Sequence, residues 1–453
     1  MNTKVKVDRS HYLFSNKILM TLIIPLIIEQ LLSVLVGMAD SIMIASVGEA
    51  AVSGVSLVDN IMVLLLNIFA ALATGGAVIA GQYLGQKNQE KACDASTQLV
   101  WFITICSVVI TIGMYLTKDM ILHRIFGQID ADVMGHAKTY LMIVTASIPF
   151  MALYNGGAAV FRAMGNSKIS MQVAIVMNII NVVGNAILIY GFHRGTEGVA
   201  IPTLVSRIVA AVLIVGLLCN QKSILHIKKS WHYHFRKDIV KKILYIGVPN
   251  GIESSMFQLG KIIVLSLVST FGTYAIAANA VSNSVALFQI LPGMAITLAT
   301  TTVVARCVGA GDYEQVCYYT KKLHLITYVC MFFSNAIVVL SLPAIMNLYH
   351  LSERTAQTTE KILIFHAIST LIIWPISFVL PATLRAAGDV KYAMVVSIVS
   401  MWLCRIVMSY VFGKYLGWGV FGIWVAMVLD WVARAICFSI HYIRGKWKNK
   451  LAI

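Results

Sequence analysis

Apolar runs of helical length recur from one end of this chain to the other, and that recurrence limits its fold more than anything else. The core of a bilayer offers backbone N–H and C=O groups no water to bind. A run that enters it must satisfy them internally, and for runs of ~20 residues the helix does so. Twelve helices fit the sequence, near 18–46, 52–84, 94–118, 133–161, 168–193, 197–220, 242–270, 276–308, 320–348, 358–384, 391–415 and 420–443. Several exceed the ~20 residues a bilayer needs, which implies tilt or extension beyond it. Charged residues make up 12% of the 453 positions, about half the ~25% of an ordinary soluble domain. The expectation is an all-α membrane protein. The charged first 17 residues lead directly into the first run with no small-residue cleavage site, so no signal peptide is expected.

The net charge of +16 would suggest nucleic acid in a soluble protein. Position decides otherwise. With the N-terminus cytoplasmic, 24 Lys/Arg fall on the cytoplasmic side and seven outside, while acids in loops split seven to seven. A bias in Lys/Arg without one in Asp/Glu is the positive-inside pattern. A multi-pass protein of the inner (plasma) membrane is expected, with both termini cytoplasmic, lipid around it and no nucleic-acid partner. Eight cysteines are scattered without a C-x-x-C pair and read as small buried hydrophobes.

The second half repeats the first at an offset of 224: Pro25 matches Pro249, Glu29 matches Glu253, and Gly48, Gly85 and Glu90 match Gly272, Gly309 and Glu314. Arg162-Ala163-Met164-Gly165 with Lys168 recurs as Arg385-Ala386-Ala387-Gly388 with Lys391, at an offset of 223, and Gly198 matches Gly422 back at 224. A shared offset across such different residues marks a duplication. Six helices per half is an even number, so the halves enter the membrane in the same sense. That gives a parallel repeat about an axis along the membrane normal, with a cavity between two lobes that can rock about it. The expected lobes are residues 1–220 and 243–453. The stretch 221–242, rich in Lys/Arg and carrying Trp231, Tyr233 and Phe235, is expected as a cytoplasmic linker with an amphipathic surface helix.

Ionisable groups inside the helices cost at least ~2.5 kcal/mol each, so each implies a function or a partner. Asp40 lies deep in helix 1 with no basic neighbour in sequence. Such a carboxylate binds a cation, takes up a proton, or hydrogen-bonds a neighbouring helix, because a dry site disfavours the bare anion. Asn178, Asn181 and Asn185 share one face of helix 5, either as ligands in a wet cavity or as amide links between helices. Glu29 and Glu253 each stand four residues after a proline and read equally as substrate contacts or as a duplicated structural tie. Lys261 is placed to neutralise an acid from another helix. Arg405 is grouped with Asp430 and Arg434, which are four apart and can pair. Asp59 and Arg207 are taken to snorkel from helix ends. His232 and His234 read as a surface pair. No enzyme constellation and no Walker loop occurs, so neither a catalytic role nor an ATP-driven pump is expected, and no cofactor beyond a coupling ion.

Together, Pro25 with Gly37-Met-Ala-Asp40, Gly81-Gln-Tyr-Leu-Gly85, the repeated R-A-x-G-x-x-K and Ile246-Gly-Val-Pro249-Asn-Gly-Ile-Glu253 resemble the multidrug and toxic compound extrusion (MATE) family, over about residues 15–445. The resemblance implies two six-helix lobes exporting organic, mostly cationic compounds in exchange for H⁺ or Na⁺, in a chain taken to be a monomer. In the DinF-like branch it implies a cation site formed by Asp40, Asn181 and Thr203. A second helix-5 acid of that branch is replaced here by Asn185, which leaves one carboxylate in place of two. The helix-7 acid of another branch falls at Phe257. A lipid-linked oligosaccharide flippase of the same superfamily shares the architecture but calls for a more basic central cavity.

Overall fold

The computed structural model describes residues 12–125, 127, 129–227, 235–349 and 351–450, and among them every long element is a helix. Ten single helices and two bent pairs give twelve spans. They are α1 Asn16–Ala45, α2 Glu49–Gly85, α3 Gln89–Leu116, α4 Ala131–Thr145 with Ile148–Ala163, α5 Ser167–Gly191, α6 Glu197–Leu218, α7 Lys237–Ser269, α8 Thr273–Gly309, α9 Tyr313–Leu348, α10 Glu353–Ile372 with Trp374–Ala386, α11 Val390–Tyr415 and α12 Gly419–Arg444. Helices 4 and 10 of the sequence reading were continuous. They are bent by 48° and 46°, where Pro149 and Pro375 open the second piece and supply no N–H to the turn before. The chain enters α7 at Lys237, inside the expected linker. Trp231, Tyr233, His232 and His234 lie outside the described residues.

The outer faces are apolar: Leu340 is 82% exposed and Leu116 81%, as lipid contact requires. Inside each lobe the helices pack as equivalent sets. One continuous core runs through the N-terminal lobe and on into the C-terminal lobe at the end where α1 begins (the proximal end). The distal part of the C-terminal lobe has its own core, around Trp374, Trp424 and Trp431. The lobes meet mainly through α2 on α7, α2 on α8 and α1 on α8, and α7 lies against α2 more extensively than α1 against α8.

The proximal crossing of α2 and α8 shows the duplication in atomic detail. A Cβ on Gly309 would lie 2.0 Å from the Gln82 carbonyl oxygen, and one on Gly85 would lie 2.1 Å from that of Arg306. Gln82 and Arg306 are themselves equivalent, as are Gly85 and Gly309, so each backbone sits in the notch its counterpart leaves. The side chains reach across as well. Gln82 Nε2 donates to the Ala386 carbonyl at 2.8 Å, and Arg306 Nε donates to the Ala163 carbonyl at 3.1 Å. Those two alanines are the same position of the repeated R-A-x-G.

The arginine of that motif holds its own lobe. Arg162 pairs with Glu29 at 3.5 Å and Arg385 with Glu253 at 2.7 Å. The duplicated acids thus tie α1 and α7 to the ends of α4 and α10, and Glu253 with Arg385 also lines a cavity of about 230 Å³. The glycine closes the turn: Gly165 and Gly388 take φ of 80° and 95°, the left-handed conformation that ends a helix at little cost to glycine. Glu29 also accepts from Ser170 at 2.9 Å, whereas Glu253 Oε2 and Arg385 Nε are buried without partners. Glu253→Gln is expected to cost on the order of 3 kcal/mol by stranding the Arg385 charge. Thermal unfolding in detergent checks this, and Glu253→Gln/Arg385→Gln should recover part of the loss. A double variant no more stable than the single one would show that charge pairing is not what Glu253 supplies.

Candidate functional site

α1, α5 and α6 bring the expected polar residues together. Asn185 Nδ2 donates to Asp40 Oδ1 at 2.6 Å and also lies 3.5 Å from Asn181 Oδ1. Asn181 Nδ2 donates to Thr203 Oγ1 at 3.1 Å, and the Thr203 hydroxyl donates to the Val199 carbonyl at 2.8 Å. The result is one hydrogen-bonded chain across three helices, which ties α1 to α5. The three polar residues on α5 and α6 are buried; Asp40 is half-buried. Asn185 Oδ1 is buried and accepts no bond, so an acceptor oxygen is held beside the carboxylate with unused capacity. Asn178 is half-buried and stands outside this chain of bonds.

Asp59 and Arg207 do not snorkel. Each lies well inside its helix, α2 or α6, and each is bonded within the lobe. Tyr140 donates to Asp59 at 2.9 Å, and Arg207 donates to the Ser147 hydroxyl at 2.7 Å. Both charges act on Asp40. Sequence reasoning placed them by distance from helix ends and missed that both partners come from α4, Tyr140 from its first piece and Ser147 from its bend.

The C-terminal lobe has different chemistry. Asp430 and Arg434 pair at 2.9 Å, with side chains 0% and 4% exposed, and Ser400 donates to Asp430 at 2.6 Å. This is the pairing expected from their spacing. Arg405 was grouped with them but forms no salt bridge among the described residues. Lys261 meets no acid among the described residues either: its ammonium lies 5.1 Å from the centre of the Phe257 ring. Both line a distal cavity of about 370 Å³, together with Gln258, Asn279, Asn283 and Trp424 of this lobe and Asn60 of α2. A second buried polar set, in which His366 bonds Gln289 and Thr370 donates to Asn335 at 3.2 Å, was not expected. Isolated polar residues in apolar helices gave no sign that they converge.

A family model described as MatE matches the chain twice, over residues 25–187 and 249–411. The chain belongs to the MatE family. The two matches stand 224 residues apart, the offset read from Pro25/Pro249, and the transporter architecture of two similar lobes follows. Among its relatives, an uncharacterised transporter, YisQ of Bacillus subtilis, is 25% identical over 99% of this chain and 96% of that protein. A probable multidrug resistance protein, NorM of Thermotoga maritima, is 22% identical over 96% and 94%. A solved structure described as the outward-facing conformation of a MATE family multidrug resistance transporter superposes with a TM-score of 0.87, at 21% identity over 96% of each chain.

Proposed function

We propose that this MatE protein is a cation-coupled antiporter that exports small organic compounds by alternating access, with Asp40 as the group that takes the coupling H⁺ or Na⁺. The observation that carries the reading is the bonded chain from Asp40 through Asn185 and Asn181 to Thr203. It centres on one carboxylate that forms no salt bridge among the described residues. A carboxylate accepts from Asn185. A protonated Asp40 becomes a donor as well, and the unused Asn185 Oδ1 is the acceptor beside it. For Na⁺, the same oxygen with Asp40, Asn181 and Thr203 offers the hard oxygen donors such an ion needs. Either event changes the bonds that tie α1 to α5, and α1 is the less firmly held of the two helices equivalent by the repeat.

The Lys/Arg bias orients the molecule. It assigns the proximal end to the cytoplasm of a cell whose plasma membrane holds the chain. On that assignment the lobes are sealed inside and part toward the outside, the state from which substrate leaves and the ion loads. The substrates are read as organic compounds, as relatives named for multidrug resistance suggest, and the protein is proposed to act as a monomer. Asp40 and Asp59 in the N-terminal lobe suit a cationic group on such a compound, which leaves the charge of the part held by the C-terminal lobe open. A second reading, a flippase for a lipid-linked oligosaccharide or other amphiphile, is favoured by the two cations, Lys261 and Arg405, that line the distal cavity.

Dye efflux from proteoliposomes under imposed gradients tests the main reading. Efflux is expected to rise under one inward gradient, H⁺ or Na⁺, and to collapse when that gradient is dissipated. Transport indifferent to both gradients would remove ion coupling.

A further inference from the structure

We propose that the distal cavity of the C-terminal lobe holds the anionic group of its substrate, a carboxylate, sulfonate or phosphate on an apolar body, between Lys261 and Arg405. The proposal rests on reading this cavity as part of the export path.

Charge bookkeeping inside the lobe carries it. Three cations surround Phe257: Lys261 and Arg405 at 5.1 Å from the ring centre and Arg434 at 5.8 Å. Arg434 is neutralised by Asp430. Lys261 and Arg405 form no salt bridge among the described residues, the neighbouring Asp430 being bound to Arg434, and no Asp or Glu lines the cavity. A ring face attracts a cation without cancelling its charge, so Phe257 holds the pair in place and leaves its charge available. Lys261 and Arg405 are brought together by that shared ring. Two like charges in a half-dry site are costly unless an anion joins them, and Arg405 Nε is buried with no hydrogen-bond partner.

The rest of the cavity suits the remainder of such a molecule. Ile262, Leu265 and Trp424 form apolar walls, and Trp424 is fixed by donating Nε1–H to Asn279 at 3.1 Å. At about 370 Å³ the space is that of a small-molecule pocket. A guanidinium offers paired N–H groups to a carboxylate or phosphate, and the ammonium supplies a second charge.

The test uses the purified full chain in phosphatidylcholine nanodiscs, with carboxyfluorescein as the anionic probe and ethidium as the cationic one, both followed by anisotropy. Carboxyfluorescein is expected to bind saturably and ethidium to compete poorly. Lys261→Gln should weaken the anion about tenfold, the scale of one charge-assisted bond. Lys261→Arg should retain it, and Lys261→Glu should abolish it and improve ethidium binding. Lys261 is exposed to the cavity, so these changes leave the packing intact. Replacing part of the lipid by phosphatidylglycerol separates two sources of the anion. Displacement of the probe assigns the site to a lipid headgroup, and no displacement assigns it to a soluble anion. Binding that is unchanged in Lys261→Glu, or ethidium competing as well as the anion, would overturn the proposal. Binding needs no gradient, so Lys261-dependent binding without gradient-driven efflux would remove the antiport reading and leave this site standing.

Discussion

Asp40→Asn is expected to reduce gradient-driven efflux to the leak rate while the protein still folds and inserts. The amide is nearly isosteric and can still accept from Asn185 through its oxygen, so the tie of α1 to α5 (2.6 Å in this structure) survives. What is lost is the ability to gain a proton or to bind a cation as an anion. An ion shifts a conformational equilibrium only by binding one state better than the other. Reversing a 1:99 ratio takes about 10⁴ in relative affinity. A neutral amide has no charge with which to supply such a difference. Efflux measured at matched expression, with unfolding monitored in parallel, decides the matter. Undiminished efflux would reassign coupling to another group, with Asp59 next in line as the other acid of the N-terminal lobe's interior that forms no salt bridge among the described residues.

Gly309→Ala, and separately Gly85→Ala, should block the proximally sealed state. The added carbon would stand 2.0 Å from the Gln82 carbonyl oxygen in one case and 2.1 Å from that of Arg306 in the other. Both obstacles are backbone and cannot swing aside. Overpacking of this kind costs about 3 kcal/mol, which shifts the equilibrium on the order of a hundredfold toward separated lobes. Efflux should fall accordingly. A cysteine placed among the buried residues at that end, such as Ala305→Cys, should become reactive to a maleimide added from the proximal side. Unchanged labelling and unchanged efflux in both variants would show that the lobes do not need this contact.

The architecture was legible because it is written in periodicity and repetition: apolar runs give the spans, and an even number of spans per repeat gives their sense. Asp40, Asn181 and Asn185 were legible because polar groups in lipid are costly and stand out, whereas Thr203 entered only through the family resemblance. Pairings between distant residues were not. Glu29 and Arg162 were each recognised as duplicated, yet nothing in either segment says that one holds the other 133 positions away. Lys261 was expected to meet an acid because such groups usually do; it meets Phe257 instead. The bends of α4 and α10 were missed because the apolar pattern continues across them, while Pro149 and Pro375 interrupt only the hydrogen-bond ladder.

The proximal crossing has a consequence beyond transport. Position 82 of one lobe grips the carbonyl at 386 of the other, and position 306 grips the one at 163. Such reciprocity is the mark of an isologous interface, the kind by which two identical subunits associate. The seal is thus a dimer contact carried within one polypeptide. The chain between the lobes acts on it as a tether that raises effective concentration, while the affinity resides in a surface present twice.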